Sequence, residues 1–179
     1  RNMAVVALCI SMLLTLVLGV RLVMDETRIV LVPGLAQEVW VSGGGVSPSY
    51  VEEVSSMYLP LLLDLDVSSI DWKREKIMSH VAVSEEGALK LIGEYFARAK
   101  EQYQNFGLST HFALKRIDIN SKSLVAIASG QLISRFGNRG FESESASYRL
   151  AYKWSSGRLL LVDFRRLKEE DEEEVVKLR

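Results

Sequence analysis

The apolar positions of this chain obey three different rules in turn. From Met3 to Val20 they have no period at all: 18 residues run without a charge. As a helix that run is roughly 27 Å long, close to the hydrocarbon thickness of a bilayer. It predicts a transmembrane anchor over residues 1–24, flanked by Arg1 on one side and by Arg21, Asp25, Glu26 and Arg28 on the other. A cleaved secretory signal is the competing reading. The run is longer than the apolar region of a signal, and no Ala-x-Ala site follows Val20. The chain opens on Arg1 rather than Met, so the positive-inside rule has one loop to weigh instead of two. Either orientation leaves nearly all of the remaining chain on one side.

Residues 25–46 read as a linker. Arg28 to Val32 is a β-branched run that either extends the anchor or forms a short strand, and Pro33-Gly34 ends it. After Val39-Trp40-Val41 comes the triplet Gly43-Gly44-Gly45, a flexible link. No Gly-Lys-Ser/Thr follows it, so it is not a phosphate loop.

Beyond Val46 the period becomes helical. Ser47 suits an N-cap and Pro48 a first helical position, and Ser49 with Glu52 has capping-box spacing. Val51, Val54, Tyr58, Leu61, Leu62 and Leu65 mark the apolar face, and Pro60 is expected to kink or split the helix. A second helix is expected to begin at Ser68, with Asp71 at capping-box distance and Ile70, Ile77 and Met78 inward. A third starts at Ser84-Glu85-Glu86, carries Leu89, Ile92, Tyr95, Phe96, Ala99 and Tyr103 at helical spacing, and stops at Gly107.

From Leu108 the period is two. Segments 111–119, 124–136, 141–154 and 158–167 alternate, separated by short turns at Asn120-Ser121, Gly137 to Gly140 and Ser155 to Gly157. Long strands joined by short turns form antiparallel hairpins. The expected fold class is therefore α+β: an N-terminal transmembrane helix, then a domain over residues 47–168 with about three helices packed on a four-stranded antiparallel meander. Residues 169–179 form an acidic tail with net charge −4, leaving +3 on the rest, and read as a solvated end.

Composition narrows the function classes. The 179 residues carry 22 Lys and Arg against 23 Asp and Glu, so no overall basic excess points to nucleic acid. One cysteine, Cys9, excludes an internal disulfide and a cysteine-rich zinc site; it sits inside the apolar run as a small lipid-facing residue. His80 and His111 are the only histidines, and no His-Glu-x-x-His, nucleophile elbow or Walker pattern occurs. Glu52-Glu53 and Glu85-Glu86 are adjacent on helices and point apart. No catalytic, cofactor-binding or metal-ligating residue is assigned. Tyr148, Leu150, Tyr152 and Trp154 share one strand face while Arg149 and Lys153 share the other, which favours a core face over base stacking. Lys115, Arg116, Arg135 and Arg139 add scattered strand charges that a partner could read. Within the anchor, Ala7, Ser11, Thr15 and Gly19 recur every four residues, a stripe of small side chains suited to close packing against another helix.

The element order, with Val39-Trp40-Val41, Ser49-Tyr50-Val51, Leu63-Asp64-Leu65-Asp66-Val67-Ser68, Ala113-Leu114-Lys115-Arg116-Ile117 and Leu159-Leu160-Leu161-Val162-Asp163-Phe164, resembles the TraE family of conjugative type IV secretion systems. The long acidic tail departs from that pattern. The resemblance implies a single-pass protein of the inner membrane of a Gram-negative bacterium, with a nuclear-transport-factor-two-like domain in the periplasm, a curved antiparallel sheet wrapped by helices. It implies no enzymatic activity and no cofactor, and a role in assembling the platform that passes DNA–protein substrates. The partners it implies are further copies of the chain, other inner-membrane subunits and a TraB-like channel-spanning protein, with no sequence-specific contact to nucleic acid. The alternative is a membrane-anchored small-ligand binder or enzyme of the same cone-like fold, which requires a pocket with convergent polar groups such as His80 or His111. A third reading is a cell-envelope protein unrelated to secretion.

Overall fold

The computed structural model describes residues 11–17, 28–29, 40–42, 45–137, 140–155 and 157–168. The chain divides into two compact units, Arg1–Ser47 and Pro48–Arg179.

In the first unit residues 11–17 are helical and exposed. Ser11 and Thr15 of the small-residue stripe lie there, and the Thr15 hydroxyl donates to the Ser11 carbonyl at 2.7 Å. Ala7 and Gly19 lie outside the described residues, as do most of the expected anchor and the whole acidic tail. Among the described residues no helix is long and apolar enough to cross a membrane. Part of the segment read as a linker is paired: β1 (Arg28–Ile29), β2 (Trp40–Ser42) and β3 (Gly45–Val46) form a small antiparallel sheet in that order.

The second unit contains three helices and then a meander. Helix α1 spans Pro48–Leu63 and buries Val51, Val54, Ser55, Tyr58, Leu59, Leu62 and Leu63. It is not split at Pro60. Pro60 lies in the last turn, and the carbonyl it leaves without an N–H is that of the exposed Ser56, which water reaches. Leu65 falls beyond the helix but is buried all the same.

Helix α2 spans Ile70–Met78 and buries Ile70 and Ile77, leaving Met78 half-buried. Its start departs from the capping box expected at Ser68 and Asp71. Asp66 does the capping instead: its carboxylate accepts the Ser68 and Ser69 backbone N–H groups at 2.8 and 3.0 Å and both serine hydroxyls. Those hydroxyls, opposed slightly by desolvation, hold the Asp66 pKa down at about 2 instead of 3.8. Helix α3 spans Glu86–Phe106 and ends on Gly107, whose φ of +58° is left-handed and whose N–H caps the Tyr103 carbonyl.

Strands β4 (Leu108–Asn120), β5 (Val125–Phe136), β6 (Phe141–Ser155) and β7 (Arg158–Leu167) follow in spatial order β4-β5-β6-β7, all antiparallel. Bulges between Leu114 and Arg116 and between Ala151 and Tyr152 bend the ladder and curve the sheet. At the first bulge Gly130 is required by space, since a Cβ there would stand 2.3 Å from the Ala113 carbonyl oxygen and 2.9 Å from the Phe112 ring. One face carries Phe112, Ala126, Ala128, Tyr148, Leu150, Tyr152, Leu161 and Phe164, all buried. Against it pack Val51, Tyr58 and Leu62 of α1 and Ile92, Phe96 and Tyr103 of α3. The expected α+β arrangement, three helices on a curved four-stranded antiparallel sheet, is the one observed.

Each edge of this sheet is bridged at one place by a segment that flanks α2. On the β4 edge the Thr110 N–H donates to the Leu65 carbonyl at 2.8 Å, and the Phe112 N–H donates to the Asp64 carboxylate at 2.8 Å. On the β7 edge the Leu161 N–H donates to the His80 carbonyl at 2.9 Å and the Ala82 N–H to the Leu161 carbonyl at 3.0 Å.

Two predictions follow from this packing. Leu62 is wholly buried, so Leu62→Asp places an unpaired charge in the core and is expected to cost about 4 kcal/mol or more, read as loss of a cooperative melt; an unchanged melt would place that face at the surface. Asp66 has a depressed folded pKa, so its stabilising contribution is complete above its ordinary pKa and fades as pH falls from about 4 towards 2. The stability gap between the native chain and Asp66→Asn is therefore expected to be widest above pH 5 and to narrow on acidification in denaturant titrations; a pH-independent gap contradicts the capping role.

Candidate functional site

The space between helices and sheet is where a cone-like fold would hold a ligand, and here rings occupy it. The Tyr148 and Phe164 rings stack at 5.6 Å between centroids and 7° between planes. Phe112 meets Tyr148 edge-on at 5.3 Å, and Tyr95 meets Phe164 at 5.2 Å and Phe96 at 5.3 Å. Each such pair adds about 1 kcal/mol beyond its buried area. These rings come from β4, β6, β7 and α3, so the stack ties the sheet to the helix layer.

Three tyrosine hydroxyls in this interior, those of Tyr95, Tyr103 and Tyr152, are engaged in structural bonds. Tyr95 donates to the Leu62 carbonyl at 2.6 Å, joining α3 to the end of α1. Tyr152 shares a 2.8 Å hydrogen bond with the buried Ser55, and Tyr103 shares one of 2.6 Å with Thr110. Burial pushes Tyr58 and Tyr148 up to about 12, and it also raises Tyr95, Tyr103 and Tyr152. All move away from neutrality, the opposite of what a general acid or base needs. Among the described residues no buried side-chain nitrogen or oxygen lacks a hydrogen-bond partner.

The two histidines do not converge. His111 lies on β4, with Nδ1 3.3 Å from the Asp64 carboxylate that also holds the Phe112 N–H. His80 lies at the opposite edge, beside β7, with its ring 5.3 Å from that of Tyr58. Desolvation, followed by the charges of Lys76 and Arg158, lowers its pKa and favours the neutral ring. Among the described residues no three His, Cys, Asp or Glu side chains are grouped to hold a metal ion.

The strand face opposite the helices carries the charges noted in the sequence, and most are paired. Arg149 meets Asp163 at 2.6 Å with both side chains about three-quarters buried, and Arg116 meets Asp118 on its own strand. Lys153 reaches Glu85 ahead of α3 at 2.8 Å. On the other face, the one that carries Tyr148, Arg166 meets Glu144 at 2.8 Å, which holds the Glu144 carboxyl below its ordinary range. Arg139 lies outside the described residues. A wide, open trough of about 1030 Å³ runs past Lys115, Ser129, Glu144, Ser147, Arg166 and Lys168, with Ser129 and Ser147 hydroxyls 3.0 Å apart across β5 and β6. A second, smaller hollow of about 320 Å³ is lined by Phe106, Phe136, Gly140, Phe141 and Glu142. The sequence reading passed over this second feature. Its one local signal was a phenylalanine at each end of the turn from Phe136 to Phe141.

The chain can now be placed among known proteins. No curated protein sequence matches it. Among solved structures, the VirB8 protein of Agrobacterium tumefaciens superposes with a TM-score of 0.54 at 8% identity, covering 68% of this chain and 93% of that one. A TraE protein in complex with 2-chloroisonicotinic acid gives a TM-score of 0.54 at 11% identity, covering 70% of this chain and 99% of that one. Identities this low establish a shared fold and nothing finer. The sequence profile described as TraE protein matches residues 1–166, which takes in the apolar run, the paired segment after it and all of β4 to β6, stopping one residue short of the end of β7. With nearly the whole chain matched in sequence and its helices and sheet matched in structure, the chain belongs to the TraE family of type IV secretion components.

Proposed function

We propose that this chain is a non-enzymatic structural subunit of the inner-membrane complex of a conjugative type IV secretion system. Residues 1–24 anchor it, residues 25–46 link it, and the domain of residues 47–168 works in the periplasm by contact with other subunits. The observation that carries the reading is the family match, which runs unbroken from the apolar N-terminal stretch through the domain.

The interior supports it. A small-molecule enzyme of this fold needs an open cavity with convergent ionisable groups beneath the helices. Here aromatic rings line that space, the tyrosines are raised in pKa, and His80 and His111 sit on opposite sheet edges. What remains for function is surface: ion pairs on both faces of the sheet and exposed apolar side chains such as Phe106 and Phe141.

The test is genetic. Deleting the gene should abolish conjugative transfer, and a chain carrying both His80→Gln and His111→Gln should restore it to within about threefold of the native level. Transfer unaffected by the deletion would refute the secretion role. Failure of the double variant at normal abundance and assembly would point to chemistry at a histidine.

The anchor stripe gives a second test. Gly19→Leu and Ser11→Leu keep the segment apolar, so both variants should insert. Lost close packing is expected to weaken co-purification with inner-membrane subunits by about 1–2 kcal/mol per contact, about 5- to 30-fold in affinity, relative to Leu13→Ala and Leu16→Ala. Equal yields from stripe and control variants would make the anchor a tether only.

A further inference from the structure

β6 runs on past the strand that covers its outer edge. It starts at Phe141, but its pairing with β7 starts only at Ser147, opposite Leu167, the last residue of β7. Residues Phe141 to Ser145 are all exposed, and on one side they pair with β5 from Arg135 to Gln131. On the other side, among the described residues, no strand meets them.

Two bonds fix the direction of the backbone groups along this stretch. The Phe136 N–H donates to the Gly140 carbonyl at 3.1 Å, and the Tyr152 N–H to the Leu124 carbonyl at 2.8 Å. Even-numbered positions along β6 therefore bond towards β5, and the register between them is unbroken. Alternate residues of an antiparallel ladder bond the opposite way. Phe141, Ser143 and Ser145 thus turn their N–H and C=O groups outward, in line with Ser147, which meets β7. Open edges are commonly blunted by a proline, a lysine or a bulge. Residues 141–145 contain none of these. Instead Glu142 and Glu144 lie on one face of the edge, with Phe141, Ser143 and Ser145 on the other.

The two carboxylates decide what can pair here. Two copies joined by this edge about a two-fold axis would run antiparallel, odd residues paired with odd and even with even. With Ser143 opposite Ser143, the two acids of one copy face the two acids of the other; a shift of register either way still sets one carboxylate against another. The chain's own tail meets the same obstacle. Continuing the β7 register past Leu167 would set Glu170 opposite Glu144 and Glu172 opposite Glu142. Like charges directly opposite destabilise a pair, and opposite charges stabilise it. Glu144 already has Arg166, whereas among the described residues no cation pairs with Glu142.

We propose that the outer edge of β6 from Phe141 to Ser145 takes up an extended segment of a different protein as an added strand, with Lys or Arg at alternate positions on the face that meets Glu142 and Glu144. Backbone pairing through residues 141, 143 and 145 supplies affinity, and the charge pattern both selects this partner and rejects a second copy. Register and charge carry this assignment, and the secretion reading does not enter it.

The experiment places the photo-crosslinker p-benzoylphenylalanine at the exposed position 145 of the full chain in its native host and maps the joined peptide by mass spectrometry. The expected adduct is a peptide of a different protein with Lys or Arg at alternate positions. Ser143→Pro removes one outward N–H and no bond to β5, and proline is tolerated at a strand edge, so the melt should hold. The adduct yield should fall at least fivefold in that variant and stay within twofold in Ser143→Ala, which keeps the N–H. Glu142→Lys should lower the yield at least threefold, and it decides the matter if the proline variant melts differently. Adducts confined to residues 169–179, to a second copy or to lipid, a mapped peptide without alternating cations, equal yields from the native chain and these variants, or no adduct would each overturn the proposal. The gene-deletion assay tests the secretion reading separately, so the two can fail independently.

Discussion

The fold depends on α2 being held at both ends against opposite edges of one sheet. Before α2, Asp64 and Leu65 bond to β4; after it, His80 and Ala82 bond to β7. These contacts join residues 45 to 81 positions apart, and they occupy edge N–H and C=O groups that would otherwise be unpaired there. They also fix how far the helix layer lies over the sheet. Asp64 and Asp66, two residues apart, divide the work: Asp64 secures the β4 edge, while Asp66 starts α2 through the Ser68 and Ser69 donors. Thr110 completes the corner, accepting from the Leu65 N–H and donating to the Leu63 carbonyl.

With the layer fixed in that position, the interior has room for rings and little else. Tyr95, Phe96, Phe112, Tyr148 and Phe164 form one aromatic run from helix to sheet, and the hydroxyls of Tyr95, Tyr103 and Tyr152 bond to the Leu62 carbonyl, Thr110 and Ser55. Outside, the domain presents ion pairs on both faces of the sheet and a hollow lined by Phe106, Phe136 and Phe141.

Much of this was legible in the sequence because two periodicities change cleanly at Gly107. The period of 3.6 before it and of two after it give three helices and a four-stranded meander, and the face shared by Tyr148, Leu150 and Tyr152 is buried as the alternation requires. Pro60 misled, since proximity to the helix end removes most of its cost. The start of α2 misled too: serine-then-acid spacing suggested a capping box, whereas an upstream aspartate outcompetes it by accepting four hydrogen bonds at once. The edge closures and the phenylalanine hollow were illegible for a simpler reason. Phe106 and Phe141 are far apart in sequence, and no local pattern reports a contact made only when a helix end and a hairpin tip meet.

A domain that works by contact should be found in the assembly it serves. The most direct measurement is to isolate the inner-membrane secretion complex through a tag on a different subunit and quantify this chain by mass spectrometry. A fixed, near-stoichiometric ratio that persists through stringent washing is the predicted result. A complex that assembles and transfers normally with this chain absent or substoichiometric would contradict the account.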